Sequence, residues 1–439
     1  MKSRQIVPVG TPGTPSVASF DDAMTALPVG FLALPGPGDR ATATLRRKLA
    51  LTLLHDLLTA SPRVAGSTGH ALGRLQSFVT DTLRGPARGR LLAGLDCVDV
   101  MVPLLAAKSG QLALDAALRA AVPSWLASLA HDPAAPPDFV WDVPVERVFL
   151  RETSTWIELT TPAQGMSLTS GKAELRLASG APLDLDAVEL PAGVERAGLG
   201  VAIDDPSGPL LALADSNPLF ALEEHPEKSG NRLELSGYSP DDWGRDLGEA
   251  LQLVRECLPD LGQEIHDTLQ RIVPVGYHAE RHFSASYREA PGLIYMSLHP
   301  STLTLAEAIV HETQHGKLNL ARWFDPLLAN GDSVWTESAV RPDLRPLTGV
   351  LLAVHAFVPV AALHERIASR SHPLAASDAF GARRREVLAA NARGLETLKR
   401  EGEPTELGRR VLGGLEELHA HLMTAYGEPL AQGSLERLG

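Results

Sequence analysis

The sequence predicts an α+β protein with a helical N-terminal part, a β-containing middle and a mostly helical C-terminal part. From Ala41 onward apolar residues recur at helical spacing, and Leu45, Leu49 and Leu53 share one face. From Phe139 apolar and polar residues alternate, which is the period of a half-buried strand. Beyond about residue 300 the helical period returns. Because helices and strands fall in separate blocks, we expect a segregated α+β architecture.

Composition divides the chain into four regions. Residues 1–20 are rich in Pro, Gly, Ser and Thr and are expected to form a loose arm. Residues 21–135 form the helical region, which ends in the linker sequence HDPAAPPD. Residues 136–275 are predicted to be the mixed, β-rich region. Residues 276–439 contain the motif on which any functional prediction depends.

The overall composition is that of an ordinary globular protein, with 44% apolar and 21% charged residues. A net charge of −13 without a long basic segment argues against nucleic-acid binding. Cys97 and Cys257 are the only cysteines, so no disulfide framework is expected and both thiols should be reduced. Without a signal-peptide core or 18 consecutive apolar residues, the chain is expected to be cytoplasmic and to span no membrane.

In the middle region, VERVFL, TWIELT, AELRLA and LDAVEL alternate apolar and polar residues and are predicted strands. The sequences DSNP at 215–218 and EEHPEK at 223–228 have turn composition, and we interpret both as polar turns. Leu293–Leu298 is predicted to be the last strand before a long helix. Ser301 or Thr302 is expected to cap that helix.

That helix, predicted over Leu303–Phe324, carries the sequence His311-Glu312-Thr313-Gln314-His315. In a helix His311 and His315 lie one turn apart on the same face, from which two imidazoles can bind one metal ion. This is the H-E-x-x-H pattern of metal-dependent enzymes. The alternative is two surface histidines. Because apolar residues flank the motif, the helix should be buried and its polar side chains should need partners, which favours the metal site.

A reactive metal needs a third protein ligand. A histidine two turns beyond the second motif histidine would complete one known pattern, but Ala321 occupies that position. His355, in the apolar segment LLAVHAFV, is our preferred third ligand, and Glu337 is the alternative. Two further histidines, His364 and His372, are expected on the surface.

Arg341 and Arg345 lie on either side of a short polar loop before the apolar segment. One interpretation is a solvent-exposed pair that contacts Asp343 and contributes little to stability. The other is a guanidinium fork that holds a carboxylate near the metal. The sequence leaves both open.

The block GLIYMSLHPSTLTLAEAIVHETQHGKLNLARWFDPLL, followed by VRPDLRPLTGVLLAVHAF, resembles the HEXXH-motif peptide-modification family. The segments DSNPL, EEHPEK and VPV also fit, so the resemblance covers at least residues 215–360. Members accompany ribosomally made, post-translationally modified peptides. The resemblance implies an iron(II) and 2-oxoglutarate-dependent hydroxylase that acts with O2 on a side-chain β-carbon of a precursor peptide.

Transferred by position, the resemblance makes His311 and His315 iron ligands, with His355 as our choice for the third. Such a site would leave three positions for 2-oxoglutarate and O2. Arg345, or else Arg341, would hold the distal carboxylate of the co-substrate.

The main alternative is a zinc metallopeptidase, in which Glu312 would be the general base that activates water. In an oxygenase Glu312 would instead orient a ligand or a water. A further alternative is a non-catalytic protein whose metal is structural. The β-rich middle is expected to bind the leader of the precursor by strand addition.

Overall fold

The computed structural model describes residues 33–61, 67–130, 134, 136–222, 230–337 and 344–427. The predicted arm at residues 1–20 and the EEHPEK turn at 223–228 lie outside this part. The predicted α+β class is confirmed.

In the described part of the N-terminal region, five helices bury an apolar cluster. Leu45 and Leu49 of the predicted helical face are both fully buried, as is Trp125, whose Nε1 donates to the carbonyl of Leu91 at 2.9 Å. The helices are α1 (Ala41–Thr59), α2 (Ser67–Arg84), α3 (Arg88–Leu95), α4 (Val98–Lys108) and α5 (Leu114–Ala127).

Seven strands follow and form two antiparallel sheets, ordered β1-β4-β5-β6 and β2-β3-β7. They are β1 (Phe139–Trp141), β2 (Val145–Leu150), β3 (Thr155–Ala163), β4 (Gly165–Thr169), β5 (Lys172–Arg176), β6 (Pro182–Asp184) and β7 (Val194–Gly198). VERVFL, TWIELT and AELRLA supply β2, β3 and β5, as predicted. The prediction for LDAVEL was wrong: Asp184 Oδ1 accepts the amide of Asp186 at 2.9 Å and turns the chain there, so Val188 is almost fully exposed.

A third sheet, ordered β11-β12-β10-β9-β8, supports the predicted metal helix. Its three central strands are parallel to one another, and its two outer strands are antiparallel. The predicted strand Leu293–Leu298 is confirmed as β12 and is buried along its whole length. The predicted boundary between residues 275 and 276 falls within β10, so this sheet joins the two regions. The elements are β8 (Gly200–Ala202), β9 (Leu210–Ala212), α6 (Pro240–Cys257), α7 (Pro259–Thr268), β10 (Arg271–Tyr277), β11 (Ser284–Ser286) and β12 (Leu293–Leu298).

The C-terminal part is built on α8, which begins directly after β12. Ser301 is the cap, as predicted, because its Oγ accepts the amide of Thr304 at 3.3 Å. The remaining elements are α8 (Thr302–Arg322), β13 (Trp335–Glu337), β14 (Leu344–Pro346), α9 (Leu347–Ser369), a 3₁₀ turn (Pro373–Ala376), α10 (Asp378–Glu401) and α11 (Glu406–Tyr426).

Helix α9 is the one helix in the described residues that is long and apolar enough to cross a membrane. Within its most apolar stretch, 78% of the helix is buried inside the protein, where α8, α10 and α11 pack against it. Its apolar character is therefore accounted for by core packing.

Candidate metal centre

The two motif histidines converge. His311 Nε2 lies 2.8 Å from His315 Nε2, and the two half-buried rings are nearly perpendicular. Two nitrogens each about 2.1 Å from one ion lie about 3.0 Å apart at an octahedral angle and about 3.4 Å apart at a tetrahedral one, so the observed spacing is nearer the octahedral value. The spacing of four residues in a helix thus brings the two imidazoles together, and their chemistry fits a divalent metal.

The glutamate of the motif is held away from the two histidines. Glu312 is 4% exposed, and Ser286 Oγ of β11 donates to its Oε2 at 2.7 Å. Adjacent residues in a helix are rotated by about 100°, so Glu312 faces the sheet while His311 faces α9. A hydroxyl of the sheet therefore fixes the direction of the carboxylate, on a different face of α8 from the histidine pair.

An aromatic side chain closes one side of the histidine pair. The ring of Phe357 in α9 lies 4.5 Å from that of His311, centroid to centroid. One turn earlier on the same face of α8, Glu307 meets His364. The two contacts run in opposite directions along the chain, so α8 and α9 are antiparallel. Phe357 thus packs an apolar ring against His311 on the side that faces α9.

Glu307 is the centre of a buried ionic cluster next to the histidine pair. Its Oε1 lies 2.8 Å from His364 Nε2, and its Oε2 accepts two hydrogen bonds from Arg383 of α10. Burial alone would raise the pKa of Glu307, but His364 and Arg383 together lower it to about 2. The predicted surface position of His364 was wrong: the side chain is fully buried because it has this ionic partner.

Neither predicted third ligand is brought to the histidine pair. His355 is fully buried in α9, two residues and thus about 200° around the helix from Phe357. Its side chain therefore leaves α9 on the side opposite the contact with His311. Glu337 is exposed on β13. Within the described ranges no group of three His, Cys, Asp or Glu side chains could hold a metal ion.

Of the two predicted arginines, Arg341 lies outside the described residues. Arg345 is half-buried on β14 opposite Thr336, three residues before Thr348 in the first turn of α9. Thr348 Oγ1 donates at 2.6 Å to Asp332, which lies 4.0 Å from Arg322 at the end of α8. Arg345 is thus three residues from a side chain that is linked, through Asp332, to the end of α8.

Sequence reasoning missed two arginines at that end. Arg322 follows His315 by seven residues, close to two full helical turns, and so lies on the same face of α8. Its guanidinium donates to Asn319 Oδ1 at 3.0 Å, and its carbonyl accepts from Arg288 at 3.1 Å. Arg288 lies over the ring of Trp323 at 4.3 Å. The seven-residue spacing was visible in the sequence; the approach of Arg288 from β11 was not.

Behind the helix, the DSNP segment forms the predicted turn. Asp215 Oδ1 accepts the amide of Asn217, and Asn217 Oδ1 accepts that of Leu219, each at 2.9 Å. The sequence did not reveal that Tyr295 of β12 donates to Asp215 Oδ2 at 2.8 Å. Burial raises the pKa of Asp215 to about 6. The turn is therefore joined to the strand that leads into α8.

Beside this turn, Arg271 of β10 binds both carboxylate oxygens of Asp99 in a fully buried ion pair. Cys97 Sγ lies 3.3 Å from Asp99 Oδ2, and burial is the largest cause that raises the pKa of the thiol to about 12. Cys97 and Cys257 are both buried, and the structure contains each as a free cysteine. A thiol so rarely ionised is a packing residue.

Comparison with protein-family models gave no match to this chain, and comparison with curated proteins gave none.

Proposed function

We propose that the protein is an iron(II) and 2-oxoglutarate-dependent hydroxylase that acts on a side-chain β-carbon of a ribosomally synthesised precursor peptide. The observation that carries the proposal is the convergence of His311 Nε2 and His315 Nε2 at 2.8 Å on a half-buried helix face. The resemblance of residues 215–360 to the peptide-modifying HEXXH proteins supports the choice of oxygen chemistry. A cytoplasmic location is part of the same proposal.

In this mechanism bound iron, with 2-oxoglutarate and O2, supplies the oxidant that attacks a C–H bond of the peptide. The residues of the chain would bind the iron, orient its other ligands and shield the site from water. His311 and His315 would bind the iron, while Phe357 keeps water from one side of His311. Ser286 fixes the direction of Glu312, which would orient a ligand or a water beside the metal.

The remaining ligands follow from the resemblance and remain proposals. His355 is put forward as the third iron ligand, with Glu337 as the alternative. Arg345 or Arg341 is put forward for the distal carboxylate of 2-oxoglutarate. Since the described residues do not gather His355 or Glu337 to the histidine pair, the ligand set is the first point to test by mutation.

A zinc metallopeptidase is the second candidate. It is favoured by the position of Glu312 next to His311, where a general base could activate a metal-bound water. However, Glu312 is 4% exposed and its Oε2 is already bonded to Ser286, which suits an orienting role better than proton transfer. The two candidates differ in metal, co-substrate and product.

For the precursor peptide, we place the leader on an edge of one of the two middle sheets. Strands β2 and β7 are the edges of one sheet, and β1 and β6 those of the other. An extended peptide can add to such an edge through main-chain hydrogen bonds. Unchanged affinity after removal of the leader would argue against this placement.

The decisive experiment is incubation of the purified protein with the precursor peptide encoded beside it, iron(II), 2-oxoglutarate and ascorbate. Hydroxylation is expected to add about 16 Da, one oxygen atom, to the peptide and to form succinate. The His311→Ala variant, assayed in parallel, should give neither product. Peptide fragments formed with zinc and without 2-oxoglutarate would reject the hydroxylase in favour of the peptidase.

A further inference from the structure

The face of α8 that carries the histidine pair continues to the end of the helix. Arg322, the last residue of α8, is separated from His315 by about 10 Å along the axis and by only about 20° around it. Helical side chains lean toward the N-terminus, so that of Arg322 is directed back along this face. One helix face thus presents two imidazoles and, beyond them, a guanidinium.

A second guanidinium, that of Arg288, contacts the backbone of Arg322. Arg288 follows β11 by two residues, and it donates to the carbonyl of Arg322 at 3.1 Å. Its guanidinium carbon lies over the ring of Trp323, 4.3 Å from the centroid, and Trp323 Nε1 donates to the carbonyl of Arg288 at 3.1 Å. Arg322 is oriented in turn by Asn319. Both cations are therefore fixed in direction by neutral neighbours.

The positive charge of this pair is only weakly balanced. In the described part of the chain Arg288 forms no ion pair, and its Nε is buried without a hydrogen-bond partner. Arg322 has one carboxylate at 4.0 Å, that of Asp332, whose side chain is 82% exposed, and the buried Glu289 also contributes negative charge nearby. Burial first, and then the charge of Arg288, lower the pKa of Arg322. Two adjacent, partly buried cations are stabilised when an anion binds between them.

We propose that Arg288 and Arg322 form the binding site for one carboxylate of a small dicarboxylic acid whose other end reaches His311 and His315. That this acid is 2-oxoglutarate rests on the proposed function. Arginine suits this binding site because the planar guanidinium can donate two parallel hydrogen bonds to a carboxylate. The contact with Trp323 fixes the position of the Arg288 guanidinium before the acid binds.

Arg345 provides the comparison. It lies near the same end of α8 through the Asp332–Thr348 contact, and it is the residue that the family resemblance favours. The two hypotheses differ in which arginine binds the carboxylate of the acid: Arg345 in one, and Arg288 together with Arg322 in the other. Arg409 is a control of the same residue type, exposed on α11 and paired with Glu406.

The test is isothermal titration calorimetry of the full chain with 2-oxoglutarate and with glutarate, in the absence and in the presence of Mn(II). Glutarate lacks the keto group needed for metal chelation and isolates the carboxylate contact. Arg288→Gln and Arg322→Gln should each weaken binding of both acids at least tenfold, whereas Arg409→Gln should leave it unchanged. Arg288→Lys and Arg322→Lys keep the charge but lose the fork, and intermediate losses are expected.

Unchanged affinity in both Lys variants and both Gln variants, with circular dichroism showing them folded, would overturn the proposal. A loss confined to Arg345→Gln would overturn it as well. If the Gln variants fail to fold, the Lys variants decide alone. If the hydroxylase assay gives no product but the arginine variants still lose affinity for the two acids, the proposed reaction is rejected and this binding site is not. Hydroxylation with an unchanged KM for 2-oxoglutarate in the variants would reject the site but not the reaction.

Discussion

Glu307 Oε1 and His364 Nε2 lie 2.8 Å apart in the buried contact between α8 and α9, one turn before the first motif histidine. Arg383 of α10 binds the other carboxylate oxygen, so three helices meet at one side chain. This cluster fixes the position of α9, and with it Phe357, against the face of α8 that carries the histidine pair.

The exchange Glu307→Gln tests this cluster. It would leave Arg383 without its buried counter-charge and His364 without its carboxylate partner, so the free energy of unfolding at pH 7 should fall by on the order of 3 kcal/mol. Because the pKa of Glu307 is lowered to about 2, its contribution is complete above about pH 4.5 and is lost as the pH falls toward 2. The stability difference between the two proteins should therefore narrow across that window in urea denaturation.

The matched control for this exchange is Glu386→Gln. Glu386 also pairs with Arg383, but its side chain is 52% exposed, and the change should stay within about 0.5 kcal/mol. If both variants lose the same free energy of unfolding, the buried contact between Glu307 and His364 contributes no more to stability than the exposed pair does.

Metal binding should depend on both motif histidines. His311→Ala or His315→Ala removes one of two converging nitrogens, and each should lower the affinity for iron(II) or zinc by more than about 100-fold. The measurement is competitive titration against a chelator, with metal content checked by mass spectrometry. His55, exposed on α1, supplies the control exchange and should have no effect. Stoichiometric metal in either motif variant would contradict the assignment.

The third ligand is tested by comparing His355→Phe with Glu337→Ala. From the family resemblance we expect iron occupancy to fall strongly in the first variant and to persist in the second. Phe is used because His355 is fully buried and a smaller residue would leave a cavity. Since the described structure places His355 away from the pair, full occupancy in His355→Phe would remove it from the ligand set, and loss in Glu337→Ala would move the role there.

Because of Asp215, we expect the free energy of unfolding to fall as the pH rises, which is opposite in sign to the effect of Glu307. Burial raises the pKa of Asp215 to about 6, so the native state retains a proton that the unfolded chain has lost, and ionisation destabilises the fold as the pH rises through 6. Asp215→Asn keeps the shape and removes this charge. Stability should increase by about 1–3 kcal/mol at pH 8 and change little at pH 4, as measured by urea denaturation.

The control for that exchange is Asp241→Asn, at an exposed position in the first turn of α6. It should not change the pH profile. A loss of stability at pH 8 in Asp215→Asn would mean that the ionised carboxylate is stabilised by Tyr295 and Asn217 more than burial opposes it.

Local signals in the sequence were sufficient for α8. Its periodicity, its cap at Ser301 and the four-residue spacing of its histidines all act within one helix, where near neighbours decide conformation. LDAVEL shows the limit of such signals, because a single side-chain bond from Asp184 replaced a strand by a turn.

The missed features depend on distant partners. His364 was assigned to the surface because histidine is polar, and its burial depends on Glu307, 57 positions earlier. Arg288 meets Arg322 across 34 positions, through the packing of β11 on α8. Contacts of this kind depend on how helices and strands pack against one another, and they produce no periodic pattern in a single sequence.

The ring of Phe357 against His311 has a consequence for folding. The histidine pair is shielded only when α8 and α9 are packed together, so a metal ion that needs this arrangement binds the native state and not the unfolded chain. At a hundredfold excess over its dissociation constant, such an ion would raise the free energy of unfolding by about 2.7 kcal/mol. Removing it with a chelator would then lower the melting temperature even in a variant that turns over no substrate.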